Sequence, residues 1–199
     1  MKRKRRKGRK RGLKKLIFFL LLIGVGIALL SLFRQELTQL GRPWLERRGF
    51  LEERRAVSLY FSDREADYLV GERREITKGE DVQDGAGEVV RELIRGPKGR
   101  LLPTLPSKTR LLSLQIDERG IARVNFSSSL SKDHPGGSSA EMMTVYSVVN
   151  SLALNFPEIK RVQFLVEGRE IESIAGHLSL GQTIPPKPDL IKNSKGEHN

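Results

Sequence analysis

The chain has 199 residues, 30% of them charged and 38% hydrophobic, enough for one globular domain or for one domain and a tether. Its formal charge of +12 is concentrated: eleven of the 36 basic residues lie between Lys2 and Lys15, leaving 25 basic against 24 acidic residues elsewhere. The absence of cysteine excludes disulfides, thiolate metal sites, thiol catalysis and a lipid-modified N-terminal cysteine.

Residues 1–15 form a basic tail, followed by an uncharged stretch over 16–33, LIFFLLLIGVGIALLSLF. As a helix this stretch is about 27 Å long, close to the roughly 30 Å hydrocarbon core of a bilayer. It is predicted to be a transmembrane helix, since inside a bilayer every backbone amide must be bonded within the segment. The positive charges before it and the single Arg34 after it orient the chain with its N-terminus cytoplasmic and its C-terminal part extracytoplasmic. A cleavable signal peptide shares this basic start, but the apolar run is longer than usual and Ala28-Leu29-Leu30 matches a cleavage site poorly. The run KRKRRKGRKR is physically able to bind nucleic acid; beside a membrane its expected partner is anionic lipid instead.

Residues 34–55 read as a charged linker or stalk, two short helical pieces around the break at Gly41-Arg42-Pro43. From residue 56 the period becomes two, with Val57, Leu59 and Phe61 alternating against Ser58 and Tyr60, which predicts a half-buried strand. A more polar partner strand follows over 68–76. Val82, Ala86, Val89, Val90, Leu93 and Ile94 recur at helical spacing, and Gly96-Pro97 stops that helix. Leu112, Leu114 and Ile116, then Ala122, Val124 and Phe126, flank a short turn at Glu118-Arg119-Gly120 and predict a hairpin.

Ser138-Ser139-Ala140-Glu141 has the spacing of a capping box, with Ser138 as the cap of a second, largely buried helix reaching about residue 155. Val162, Phe164 and Val166 form another alternating strand, turned at Glu167-Gly168 into a last strand over 169–174. The part after Leu180, with Pro185-Pro186-Lys187-Pro188, reads as an extended, flexible tail over 181–199. The expected fold is α+β: a mostly antiparallel sheet with two helices on one face, in the order β-β-α-β-β-α-β-β.

Several strings in this domain resemble the GerMN family of sporulation and germination proteins. Leu93-Ile94-Arg95-Gly96-Pro97, Leu105-Pro106 and Thr109-Arg110-Leu111-Leu112-Ser113 are similar to its helix-to-strand passage. Leu59-Tyr60-Phe61, Val124-Asn125-Phe126-Ser127, the run from Phe156-Pro157 through Val162 into Val166-Glu167-Gly168, and Ile174-Ala175-Gly176-His177-Leu178 agree in order and spacing. The resemblance covers roughly residues 56–180. It implies a non-catalytic domain of the cell envelope, of the kind that joins sporulation assemblies, with a fold related to ring-building modules. The chain departs from the family in having no cysteine for a lipid anchor, its place taken by the apolar segment 16–33, and in carrying one domain where pairs are common.

Little reactive chemistry is legible. His134, His177 and His198 stand at no metal-ligand spacing, and no cofactor motif is present, so no catalytic, cofactor or metal residues are assigned. The stretch 133–139 (Asp133, His134, two glycines, Ser138, Ser139) is the one place where an acid, a base and hydroxyls converge. An envelope hydrolase or wall-polymer-binding domain using that loop is the alternative reading, set against Gly-Gly loop freedom and Ser138 as a cap. Ser127-Ser128-Ser129 is no nucleophile elbow, Gly96-Pro97-Lys98-Gly99-Arg100 lacks phosphate-loop spacing, and Glu158 and Glu167 read as surface acids. The leading expectation is a single-pass membrane protein, not an enzyme, presenting a protein-interaction domain to membrane lipid, other envelope proteins and itself.

Overall fold

The computed structural model describes Phe18, residues 20–25 and residues 53–192. It contains two units, Met1–Leu51 and Glu52–Asn199. In the first, Phe18 and residues 20–25 are helical and exposed. Among the described residues no helix is long and apolar enough to cross a membrane. The tail 1–15, most of the expected span 16–33 and the linker up to residue 52 lie outside them.

In the second unit the period-two run becomes β1 (Arg54–Ser62), paired antiparallel with β2 (Leu69–Thr77), with Arg54 opposite Thr77 and Ser62 opposite Leu69. Val57, Leu59 and Phe61 are buried on one face, as the alternation requires. Helix α1 (Val82–Arg95) starts at Asp81, whose carboxylate accepts the Asp84 N–H at 2.8 Å. It ends at Gly96, where φ 85° and ψ 177° suit only glycine. Its buried stripe of Ala86, Val89, Val90 and Leu93 follows the helical period.

The hairpin is β3 (Leu111–Ile116) and β4 (Ile121–Phe126), with a register shift between Leu111 and Ser113. Asp117 accepts the N–H groups of Arg119 and Ile121, and Gly120 takes φ 78°. A short helix not expected from the pattern, α2 (Ser129–Lys132), precedes α3 (Ser138–Ala153). Strands β5 (Arg161–Val166) and β6 (Arg169–Glu170) follow.

The α+β class and the order of the main elements agree with expectation, while the pairing differs. There are two sheets, β1-β2 and β3-β4-β5-β6, and β4 runs parallel to β5. A period-two run shows that a strand exists but not its neighbour. The helix-bearing connection between β4 and β5 is long enough to return the chain in the same direction, which a tight turn cannot do. Nor do the helices share one face of one sheet: both touch β1 and each other, while α1 also contacts β2 and β3 and α3 contacts β5. One apolar cluster joins all these elements, including Phe126 and Phe164, whose rings stack at 6.0 Å.

Two C-terminal expectations change. The last strand stops at Glu170 because the chain beyond it is held elsewhere. Residues 181–192 are extended, as four neighbouring Pro and Lys positions suggest, but they are bonded to the domain. Ile184 and Val162 exchange hydrogen bonds of 2.8 and 2.9 Å, Pro188–Leu190 forms one 3-10 turn, and Lys192 N–H reaches the Leu69 carbonyl at 2.8 Å.

Candidate functional site

The loop 133–139 is where the sequence concentrates polar chemistry, and its geometry is structural. Gly136 and Gly137 take φ 80° and 89°, letting the chain turn into α3. The Gly136 N–H donates to His134 Nδ1 at 3.0 Å, so that nitrogen carries no proton. His134 Nε2 lies 3.0 Å from Thr144 Oγ1, whose own hydroxyl donates to the Thr104 or Ala140 carbonyl. Nε2 is therefore the donor, and the ring is the neutral Nε2–H tautomer with both nitrogens committed. Burial pushes its pKa below the ordinary imidazole value, against the opposing charge of Glu141.

Ser138 is exposed and is the first residue of α3, not its cap: the cap position is Gly137, and no side chain closes the helix amides there. The expected capping box is thus not formed. Glu141, its supposed second half, is fully buried and turns to another segment. Oε1 accepts the N–H groups of Ile174 at 2.7 Å and Ala175 at 3.1 Å, and Oε2 that of His177 at 2.8 Å. Burial alone would raise this carboxyl's pKa; the amides of Ala175, His177, Ile174 and Leu178 outweigh it and hold it below the usual glutamate value. The sequence signal was present, an acid at an otherwise apolar helical position, but its partners lie more than thirty residues away.

Beside the loop, Pro135, Ala140 and Met143 border a cleft of about 710 Å³ whose other wall is the 101–107 loop and Pro97. Thr104, which lines it, is internally paired: its Oγ1 meets Ser147 Oγ at 2.7 Å behind the cleft wall, and Ser147 donates to the Tyr60 carbonyl at 2.6 Å. Among the described residues no group of histidine and acidic side chains could hold a metal ion.

The strongest polar construction outside the loop covers the free edge of β1. Ser147 and Ser151 of α3 and Asn155 just beyond it recur every four residues, one stripe of a helix. Ser151 Oγ accepts the Tyr60 N–H at 3.0 Å, and Asn155 bonds both the N–H and the carbonyl of Ser58, at 2.9 and 2.7 Å. Three side chains thereby stand in for a neighbouring strand. Asn150 does the same for the C-terminal segment, meeting Lys187 N–H at 2.8 Å and its carbonyl at 3.0 Å.

This arrangement of two small sheets and crossing helices is the fold of GerMN domains. The first GerMN domain of the sporulation protein GerM from Bacillus subtilis is 20% identical with a TM-score of 0.56, over 68% of this chain and 99% of that one. The tandem GerMN domains of the same protein match at 21% identity and a TM-score of 0.52, over 69% of this chain and 48% of theirs. A Clostridium perfringens protein assigned as a lipoprotein is 26% identical with a TM-score of 0.50, over 72% of this chain and 97% of that one. The Germane family model, described as sporulation and spore germination, matches residues 58–172, and the chain belongs to that family. No curated protein matches the chain.

Proposed function

We propose that the chain is a single-pass membrane protein that presents a non-catalytic GerMN-type interaction domain, residues 56–180, on the extracytoplasmic side as part of an envelope assembly. The observation that carries the non-catalytic reading is the commitment of both His134 nitrogens to internal hydrogen bonds, which leaves the loop 133–139 no free imidazole to activate Ser138. Membership in the Germane family supports the sporulation or germination setting. The uncharged stretch 16–33 behind eleven positive charges supports the anchor, and the assigned lipoprotein among its structural neighbours supports an envelope location by another tether. Membrane lipid and other envelope proteins are the partners this places within reach.

Protease added to intact protoplasts tests the topology, with the full chain carrying a C-terminal epitope. Loss of the epitope together with survival of a small N-terminal fragment is expected; an epitope protected while an exported control is digested overturns it. Incubating the purified chain with cell-wall polymer tests the chemistry. Release of fragments by the native chain that disappears in His134→Ala would replace this reading with the hydrolase.

A further inference from the structure

We infer that the open edge of β2 pairs with the same edge of a second copy, antiparallel about a two-fold axis at Arg74, with Arg73 of each copy opposite Glu75 of the other. The inference rests on the interaction role proposed above and names its surface.

The edges of the two sheets differ in how they are covered. In the β1-β2 pair, Ser58 and Tyr60 direct their main-chain groups toward α3, so the residues opposite them, Arg73 and Gly71, direct theirs away from β1. Leu69 follows the same alternation, and its outward carbonyl takes the Lys192 N–H. Past that point, from Gly71 to Glu75, the outward groups meet no main-chain partner among the described residues. By contrast, β1 is covered from Ser58 to Ser62 by the α3 stripe and Leu102, and β5 is met by Ile184 and β6. The free edge of β3 is kinked by its register shift and met at Ile116 N–H by Gln83. β2 is nine residues long and unbulged, the kind of edge that templates another strand.

Side-chain chemistry selects the occupant. Glu72 and Arg74 turn inward: Arg74 bonds Glu72, Glu92 and the Gly96 carbonyl, and Glu72 also accepts the Lys98 and Gly99 N–H groups. Arg73 and Glu75 lie on the exposed face, and neither forms an ion pair among the described residues. Opposite charges two positions apart on one face of a strand complement themselves when an identical strand runs antiparallel. Shifting the pairing two residues one way sets Arg73 against Arg73 and brings Thr77 onto the Leu69 carbonyl already held by Lys192. The opposite shift sets Glu75 against Glu75. On the exposed face only the central register gives two cross-strand ion pairs, and it leaves the Lys192 contact intact; on the inner face it sets Arg74 against Arg74, each already neutralised by Glu72 and Glu92 of its own chain. Such a contact is small, and confinement to a membrane surface would raise the effective concentration at which it forms.

The cysteine-free full chain in lipid vesicles allows a direct test. Arg73→Cys chains mixed with Glu75→Cys chains are expected to form disulfide-linked dimers, because directly opposed residues lie about 5.5 Å apart. Either variant alone should link far less, since diagonal neighbours lie about 7–8 Å apart. Arg73→Glu should weaken self-association measured by energy transfer about tenfold, and Arg73→Glu with Glu75→Arg in one chain should restore it. Equal linking in all three cysteine samples, or no rescue by the double reversal, overturns the proposal. A chain that stays monomeric yet cross-links to other envelope proteins in cells overturns self-pairing and leaves the interaction role standing. Absence of either kind of association removes both.

Discussion

The side-chain amide of Asn155 meets the main chain of Ser58 twice, accepting its N–H at 2.9 Å and donating to its carbonyl at 2.7 Å. With Ser147 and Ser151 it converts one stripe of α3 into a false strand along Ser58 and Tyr60 of β1, so those main-chain groups are not offered to other chains. Asn155→Ala should cost about 1–3 kcal/mol by leaving those groups unpaired. Thermal unfolding and light scattering of the full chain check this. A variant as stable and as soluble as the native chain would show that water replaces the amide without loss.

Glu141 fastens the segment 174–178 through main-chain amides alone, without a cation among the described residues. Its folded pKa is lowered, so its contribution is complete above the ordinary glutamate range, near pH 4.3, and is lost as pH falls through the folded value. Glu141→Gln should therefore destabilise the domain at neutral pH and flatten the acid limb of its stability curve. Unfolding midpoints at several pH values between about 3 and 7 would show the two limbs converging; parallel curves would refute the assignment.

Ser138 and His134 give opposite predictions. Ser138→Ala should change stability by less than about 0.5 kcal/mol, as expected of an exposed residue that closes no helix amide, whereas a true N-cap loses about 1 kcal/mol. His134→Ala should destabilise at neutral pH. Because the folded ring has a lowered pKa, its contribution is present above the ordinary histidine value, near 6.5, and fades as pH falls below it. Urea unfolding of both variants at pH 7.5 and pH 5.5 separates them: the His134 defect should shrink at the lower pH.

Gly120 combines a φ of 78° with a site where an added Cβ would stand 2.5 Å from the Glu158 carbonyl oxygen. Gly120→Ala should cost at least about 2 kcal/mol, the backbone strain alone being about 1–3 kcal/mol. Gly136→Ala has a similar φ but open space around it, so it should cost less. Equal losses would mean that φ alone decides at both positions.

What the sequence disclosed follows a physical division. Strands and helices announced themselves wherever burial is periodic: Val57, Leu59 and Phe61 and the α1 stripe all lie where the pattern places them, whereas β5 buries Gln163 along with Val162 and Phe164. The parallel pairing of β4 with β5 was not legible, because partner choice depends on how the intervening chain packs. Glu141 misled for the same reason: Ser-x-x-Glu is a local pattern, yet a buried carboxylate takes whichever amides the fold brings to it. Proline suggested a loose tail after Leu180, but Asn150, far back in the chain, holds Lys187 from both sides. Within the loop 133–139 the residue types were evident, while the tautomer of His134 depends on Gly136 and Thr144 in three dimensions.

The β1-β2 ribbon also sets the two ends of the domain apart. Arg54 enters opposite Thr77, whereas Lys192 departs beside Leu69, at the other extremity of a nine-residue strand spanning roughly 30 Å. A fluorophore attached at Lys192 would therefore sample surroundings remote from those of one attached at Arg54.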